Sequence, residues 1–143
     1  MRVREIMTKN PICCTPELRL SEVARIMCGH DVGELPVVES MTDLKPLGVI
    51  TDRDIVCRSL GQGRNPLELT ARDCMTRSVV SVTPMTTLED CCAVLEDRRI
   101  RRVVVVDEKG RCCGIVSLAD IARLCEPDVT SEVMRQVSRR IAV

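Results

Sequence analysis

Gly48-Val-Ile-Thr-Asp-Arg-Asp-Ile55 is the stretch that decides the fold, and it returns as Gly114-Ile-Val-Ser-Leu-Ala-Asp-Ile121. Each copy runs glycine, two β-branched apolar residues, a hydroxyl residue, two variable positions, aspartate and isoleucine. The apolar pair reads as the end of a buried strand, and the hydroxyl residue as the start of a helix. A strand running into a helix N-terminus gathers backbone N–H groups and a hydroxyl at one spot, which favours an anion such as phosphate. The aspartate falls in the first helical turn beside the hydroxyl, where its carboxylate can accept two hydrogen bonds from a sugar diol. The pattern points to a nucleotide site, present twice. The same residues admit a structural reading, with Thr51 and Ser117 as helix caps and Asp54 and Asp120 as first-turn acids complementing the helix dipole. Recurrence does not separate the two, because a duplicated fold duplicates its caps.

The residues around the stretch repeat with it. Met7-Thr8 corresponds to Met75-Thr76, Thr15-Pro16 to Thr83-Pro84, Leu20 to Leu88 and Val37-Val38-Glu39 to Val105-Val106-Asp107, all at an offset of 68 (75 − 7). The glycines are 66 apart (114 − 48), which places two extra residues in the turn-rich Ser40-Met-Thr-Asp-Leu-Lys45. Each half predicts a short lead (Val3 to Met7; Ala71 to Met75) and a brief strand (Ile12 to Cys14; Val79 to Val82). An amphipathic helix follows, from about Leu20 to Gly29 with Val23, Ile26 and Met27 on one face. Its counterpart runs from Leu88 to Asp97 with Cys91, Cys92 and Leu95. Two strands come next (Leu35 to Glu39 and Leu47 to Ile50; Arg102 to Asp107 and Cys112 to Val116), then a second helix (Asp52 to Leu60; Leu118 to Cys125).

The expected fold class is α/β, more closely α+β, built from two β-α-β-β-α repeats. The boundaries are residues 1–60, a linker at 61–70 with two glycines and a proline, residues 71–125, and a C-terminal helix in 126–143. In that last segment Val133, Met134, Val137 and Ile141 recur at helical spacing. A unit of this size buries only about 60% of its unfolded surface. The halves are therefore expected to share contacts about a pseudo-twofold axis, with paired sites in the clefts between them.

Composition narrows the function classes. The 143 residues are 45% apolar and 29% charged, as in soluble globular proteins. No run approaches the roughly 18 apolar residues of a membrane span. The start, Met1-Arg-Val-Arg-Glu-Ile6, lacks a secretory apolar run, so a cytoplasmic location is expected. Charge balances at 21 basic against 21 acidic residues, and Phe, Tyr and Trp are absent. Nucleic acid is thus an unsuitable partner, and any bound purine must be sandwiched by aliphatic side chains.

Ten cysteines include adjacent pairs at 13–14, 91–92 and 112–113 but no C-x-x-C spacing. Aligning the halves sets Cys14 opposite Val82, Cys74 opposite Ile6, Cys91 opposite Val23 and Cys92 opposite Ala24. They read as small buried hydrophobes rather than metal ligands or a disulfide framework. One histidine, His30, and no Ser/His/Asp or Cys/His set argue against an enzyme.

The repeat order, the Gly48…Thr51…Asp54 and Gly114…Ser117…Asp120 signatures and Leu35-Pro-Val-Val38 resemble a pair of CBS domains, a Bateman module, from Arg2 to Leu124. The short length resembles stand-alone CBS-pair proteins, including the hypoxic-response type. The resemblance implies that Thr51 and Ser117 contact phosphate and that Asp54 and Asp120 bind the ribose diol. Asn10, Pro11 and Ile12 with Leu35, Pro36 and Val37 would line one adenine pocket. Ser78, Val79 and Val80 with Val103, Val104 and Val105 would line the other, and Arg101 and Arg102 would reach phosphates. Gly33-Glu34 stands where the second half has Arg101-Arg102, so the two sites are expected to be unequal. The implied function is a regulatory module, not an enzyme. It would sense AMP or ATP, with NAD or S-adenosylmethionine as further candidates, and would signal to a regulated protein through a shift in repeat or homodimer packing. No cofactor is implied. The alternative is a structural or interaction protein whose sites bind nothing.

Overall fold

The computed structural model describes residues 1–78, 80–124 and 131–137. Its elements are β1 (Thr8–Lys9), α1 (Leu20–His30), β2 (Glu34–Val38), β3 (Pro46–Thr51), α2 (Asp52–Arg58), α3 (Ala71–Cys74), β4 (Thr76–Arg77), β5 (Ser81–Val82), α4 (Leu88–Arg98), β6 (Arg102–Val106), β7 (Cys112–Ser117) and α5 (Leu118–Leu124). Three short 3-10 turns, at Val3–Glu5, Leu60–Gln62 and Pro66–Glu68, punctuate them. Residues 131–137 are also helical. The rest of the expected C-terminal helix, and Cys125 at the end of the second repeat, lie outside the described residues.

Two compact units form, and each takes its leading segment from the other sequence half. Unit 1 comprises Met1–Asn10, Val80–Lys109 and Cys113–Val143, and unit 2 comprises Pro11–Val79 and Gly110–Cys112. The exchange is built by strands too short to show periodicity. β1 pairs antiparallel with β7 (Thr8 opposite Ile115), and β4 pairs antiparallel with β3 (Val49 opposite Thr76). Unit 1 thereby holds the sheet β1-β7-β6-β5, with β5 parallel to β6, and unit 2 the sheet β2-β3-β4.

Each unit closes on an aliphatic core. Unit 2 packs Leu20, Val23 and Met27 of α1 against Leu35, Val37 and Ile50 of the sheet, with Ala71, Cys74 and Met75 of the exchanged lead. Unit 1 packs Cys91, Cys92 and Leu95 of α4 against Val103, Val105 and Val116, with Val3 and Ile6 of the other lead and with Val133 and Val137. The last two place the described part of the terminal segment on its own unit. Ile121 of α5 is fully buried there.

The two long helices end alike. Asp31 and Arg99 both adopt left-handed backbone (φ 52° and 53°), and the following N–H groups return to Met27 O and Leu95 O at 3.0 and 3.1 Å. Between the repeats the linker is ordered by its short turns, with Asn65 capping one of them. The expected strand at Ile12 to Cys14 does not form. Prolines 11 and 16 bracket it, and one parallel bridge, Cys14 to Val37, is what pairs there.

Candidate functional site

Unit 2 carries the first signature at the turn from β3 into α2. Thr51 caps the helix: its Oγ1 accepts from Asp54 N–H at 3.0 Å, and the Asp54 carboxylate accepts from Thr51 N–H at 3.0 Å. The next N–H, of Asp52, donates to Gly33 O at 3.0 Å, and that of Arg53 to the Asp52 carboxylate at 2.8 Å. Backbone donors that the sequence suggested were open to a ligand are therefore satisfied within unit 2. The Asp54 carboxylate also accepts from Thr76 Oγ1 at 3.4 Å and lies 4.0 Å from the Arg58 guanidinium. Arg58 donates in turn to the carbonyls of Cys74 (3.0 Å) and Met75 (2.6 Å), fastening α2 to the exchanged lead.

Unit 1 repeats the design at the turn from β7 into α5. Ser117 N–H donates to Asp120 at 2.8 Å, Asp120 N–H donates to Ser117 Oγ at 3.1 Å, and Leu118 N–H donates to Arg101 O at 2.8 Å. Arg123, one turn on, pairs with the second carboxylate oxygen. Asp120 is the more buried of the two acids, its side chain 9% exposed against 17% for Asp54.

Arg58, Thr76 and Arg123 were not anticipated from the sequence. Two of them carry a readable signal, an arginine three or four residues after the signature aspartate. Thr76 carries none, because the lead exchange alone brings it there. A third capping pair has the same hydroxyl-x-x-Asp spacing: Thr70 N–H donates to the Asp73 carboxylate at 2.9 Å at the start of α3. That hydrogen bond, aided by the Arg64 guanidinium, holds the Asp73 carboxyl below its usual range. Capping chemistry thus exists here without any glycine-strand signature ahead of it.

Strand alternation sorts the expected adenine residues. Leu35 and Val37 face the core of unit 2, and Val103 and Val105 that of unit 1. Pro36 and Val104 are buried but belong to neither core cluster. In the β2–β3 ladder Glu34 stands opposite Thr51 and Pro36 opposite Val49, so Glu34, Pro36 and Thr51 share the face turned from the core. The Glu34 Oε2 oxygen is buried there. The matching position of β6 holds Arg102, whose guanidinium burial pulls below its usual value while leaving it charged. Arg101 is exposed. Ile12, in unit 2, is 38% exposed; Asn10, in unit 1, is exposed and Pro11, in unit 2, is half-buried. Ser78 falls in unit 2 and Val80 in unit 1, both half-buried, and Val79 lies outside the described residues.

Among the described cysteines Cys13, Cys14, Cys74, Cys91, Cys92 and Cys112 are buried, while Cys28 and Cys57 are exposed. Burial pushes the Cys14 thiol up to about 11, as suits an inert apolar side chain. Among the described residues no group of three or more His, Cys, Asp or Glu side chains converges to hold a metal ion, and no helix is long and apolar enough to cross a membrane.

Comparison with known proteins agrees with this architecture. The CBS domain model matches residues 3–61 and again 71–126. Hypoxic response protein 1 of Mycobacterium tuberculosis is 36% identical over 84% of this chain and 82% of its own length. Among solved structures, the CBS domain pair of protein MJ0100 in complex with 5′-methylthioadenosine and S-adenosyl-L-methionine superposes with a TM-score of 0.75 at 30% identity. It covers 87% of this chain and 98% of that one. CBSX2 in complex with AMP superposes with a TM-score of 0.71 at 25% identity, over 85% and 93% of the two chains.

Proposed function

Because the chain belongs to the CBS-domain family, we propose that it is a regulatory, non-catalytic module that binds an adenosine nucleotide, AMP or ATP, at its two signatures. The observation that carries this reading is geometric. In each unit a hydroxyl and a carboxylate, held by a reciprocal pair of backbone N–H bonds, meet at one strand-to-helix turn, and in unit 2 Pro36, off the core, shares the sheet face of Thr51. Those are the groups a phosphate, a ribose diol and an adenine need. The adenosine ligands of the MJ0100 domain pair and of CBSX2 support the same class. In this reading Thr51 and Ser117 take the phosphate and Asp54 and Asp120 the ribose, while Pro36 and Val104 pack on the base. Arg102 draws phosphate, and Glu34 makes the first site the weaker. NAD and S-adenosylmethionine share the adenosine moiety and belong in any screen. Ligand shifts the packing of the module, and a regulated protein reads that shift in the cytoplasm.

A second reading is favoured by one observation: both signature carboxylates are already engaged in capping boxes and arginine contacts. It makes the chain a structural CBS protein with non-binding sites. A thermal-shift screen of AMP, ADP, ATP, NAD and S-adenosylmethionine separates the two. A ligand at a hundredfold over its Kd adds about 2.7 kcal/mol of stability, so AMP or ATP should raise the melting temperature by several degrees. If none of the five moves it, the nucleotide reading fails.

The module is also expected to be a homodimer through its helices. Val56 and Leu60 are 55% and 66% exposed, and Leu124 is 54% exposed, in a chain of 15.9 kDa. Exposed apolar side chains at the second helices are surface that a second copy would cover. Sedimentation should show a species of about twice the chain mass, and a monomer at all micromolar concentrations would refute the dimer.

A further inference from the structure

Thiols that the nucleotide reading leaves unused gather at one end of unit 2. Cys14 N–H donates to Pro36 O at 3.0 Å and Val38 N–H to Cys14 O at 2.8 Å, laying the Pro11–Cys14 segment along the end of β2. β2 leads into the turn at residues 39–45, closed by Glu39 N–H to Lys45 O and Leu44 N–H to Ser40 O, both 2.8 Å. From that turn Leu44 O accepts from Cys112 N–H at 2.7 Å. Two segments from opposite parts of the sequence thus hang on one hairpin. They bring the Cys13 thiol within hydrogen-bonding reach of the Cys112 thiol. Both side chains are buried, 8% and 5% exposed, and both are thiols rather than a disulfide in this structure.

We propose that Cys13 and Cys112 form a reversible disulfide when the protein meets a peroxide. Cys13 is the attacking group. The Cys112 hydrogen bond holds its thiol below the usual range, against burial and the neighbouring Cys14, which push it up. Cys14, itself pushed up to about 11, stays protonated and does not compete. The Cys13 thiolate attacks one peroxide oxygen, the O–O bond breaks, and Cys13 becomes a sulfenic acid while the departing hydroxide takes up a proton as water. The Cys112 sulfur, giving up its proton, then attacks the sulfenic sulfur. The S–S bond forms, the S–O bond breaks, and a second water leaves. The net change is a two-electron oxidation: two thiols and one peroxide give one disulfide and two waters.

The bond has a structural consequence. The chain crosses between the units four times, and Cys13 and Cys112 lie near the first and the last of those crossings, at Asn10–Pro11 and Cys112–Cys113. A disulfide joins two distant segments within unit 2 and closes most of the chain into one covalent loop, which should favour the folded state. The inference does not rest on nucleotide binding.

The test is peroxide treatment of the full chain, alkylation and non-reducing peptide mapping. The expected product is a peptide joining Cys13 to Cys112 that a dithiol reductant dissolves, with the oxidised protein melting several degrees higher. Cys13→Ser and Cys112→Ser should each remove the link, and Cys28→Ser and Cys57→Ser should leave it. Should either variant fail to fold, the wild-type map alone decides. Links confined to Cys28 or Cys57, or a link through Cys14 or Cys113, would overturn the proposal. So would overoxidised Cys13 beside an alkylatable Cys112.

Discussion

Gly48→Ala is expected to destabilise the protein by about 3 kcal/mol and lower its melting temperature by about 10 °C. A Cβ at that position would sit 2.1 Å from Thr76 O and 3.0 Å from the Arg77 Cα, both backbone atoms of β4. Backbone cannot rotate aside as a side chain does, so β3 and β4 must part. The Thr76 hydroxyl is then drawn away from Asp54. Gly114 is the equivalent glycine by sequence, yet its environment is softer. There the Cβ meets Met7 Sδ at 2.7 Å and Met7 Cγ at 3.3 Å, with Thr8 O at 3.2 Å. A methionine can swing away at small cost, so Gly114→Ala is expected to cost less than half as much. Thermal unfolding of the two variants side by side checks this. Equal losses would show that the leads are not seated as described.

The same glycines show how far the sequence could be read. The offsets of 68 and 66 gave the element order, and the observed helices and strands fall within a residue or two of the expected bounds at most positions. The exchange of leads was not legible, because Thr8–Lys9 and Thr76–Arg77 are two-residue, exposed polar strands with no pattern to find. A trace was nonetheless present. A glycine inside an otherwise β-branched strand marks a place where another backbone comes close, and both signatures open on one. In the candidate site, the pairing of hydroxyl with carboxylate followed from a three-residue spacing in a first helical turn. The partners Arg58 and Arg123 had helical spacing too, whereas Thr76 depends on tertiary structure alone. Glu34 was singled out by its contrast with Arg102, and the ladder adds what the sequence could not, that it stands directly opposite Thr51.

Asp120→Ala should weaken AMP binding at its site by about 1.5 to 3 kcal/mol, about tenfold to 150-fold, if its carboxylate accepts two hydrogen bonds from the ribose diol. The structure adds a stability effect. The variant loses the acceptor for Ser117 N–H and the partner of Arg123, together worth about 1 kcal/mol, since Arg123 is mostly exposed. Folding and binding must therefore be separated, and Asp73→Ala supplies the control. It breaks a capping box of the same design at Thr70, outside both signature sequences, and should lower stability by a similar amount while leaving AMP affinity at the Asp120 site unchanged. Asp54→Ala should lose a similar factor at the other site, starting from weaker binding. There Glu34 shares a face with Thr51, and a like charge about 4 Å from a phosphate costs about 1 to 4 kcal/mol depending on local dielectric. Glu34→Arg should consequently strengthen binding at that site, and more for ATP than for adenosine, because ATP carries more charge. Calorimetric titration of AMP into the wild type and the three aspartate variants decides between ribose acceptor and helix cap. If Asp54→Ala, Asp120→Ala and Asp73→Ala all bind AMP as the wild type does, the signature carboxylates are caps and nothing more.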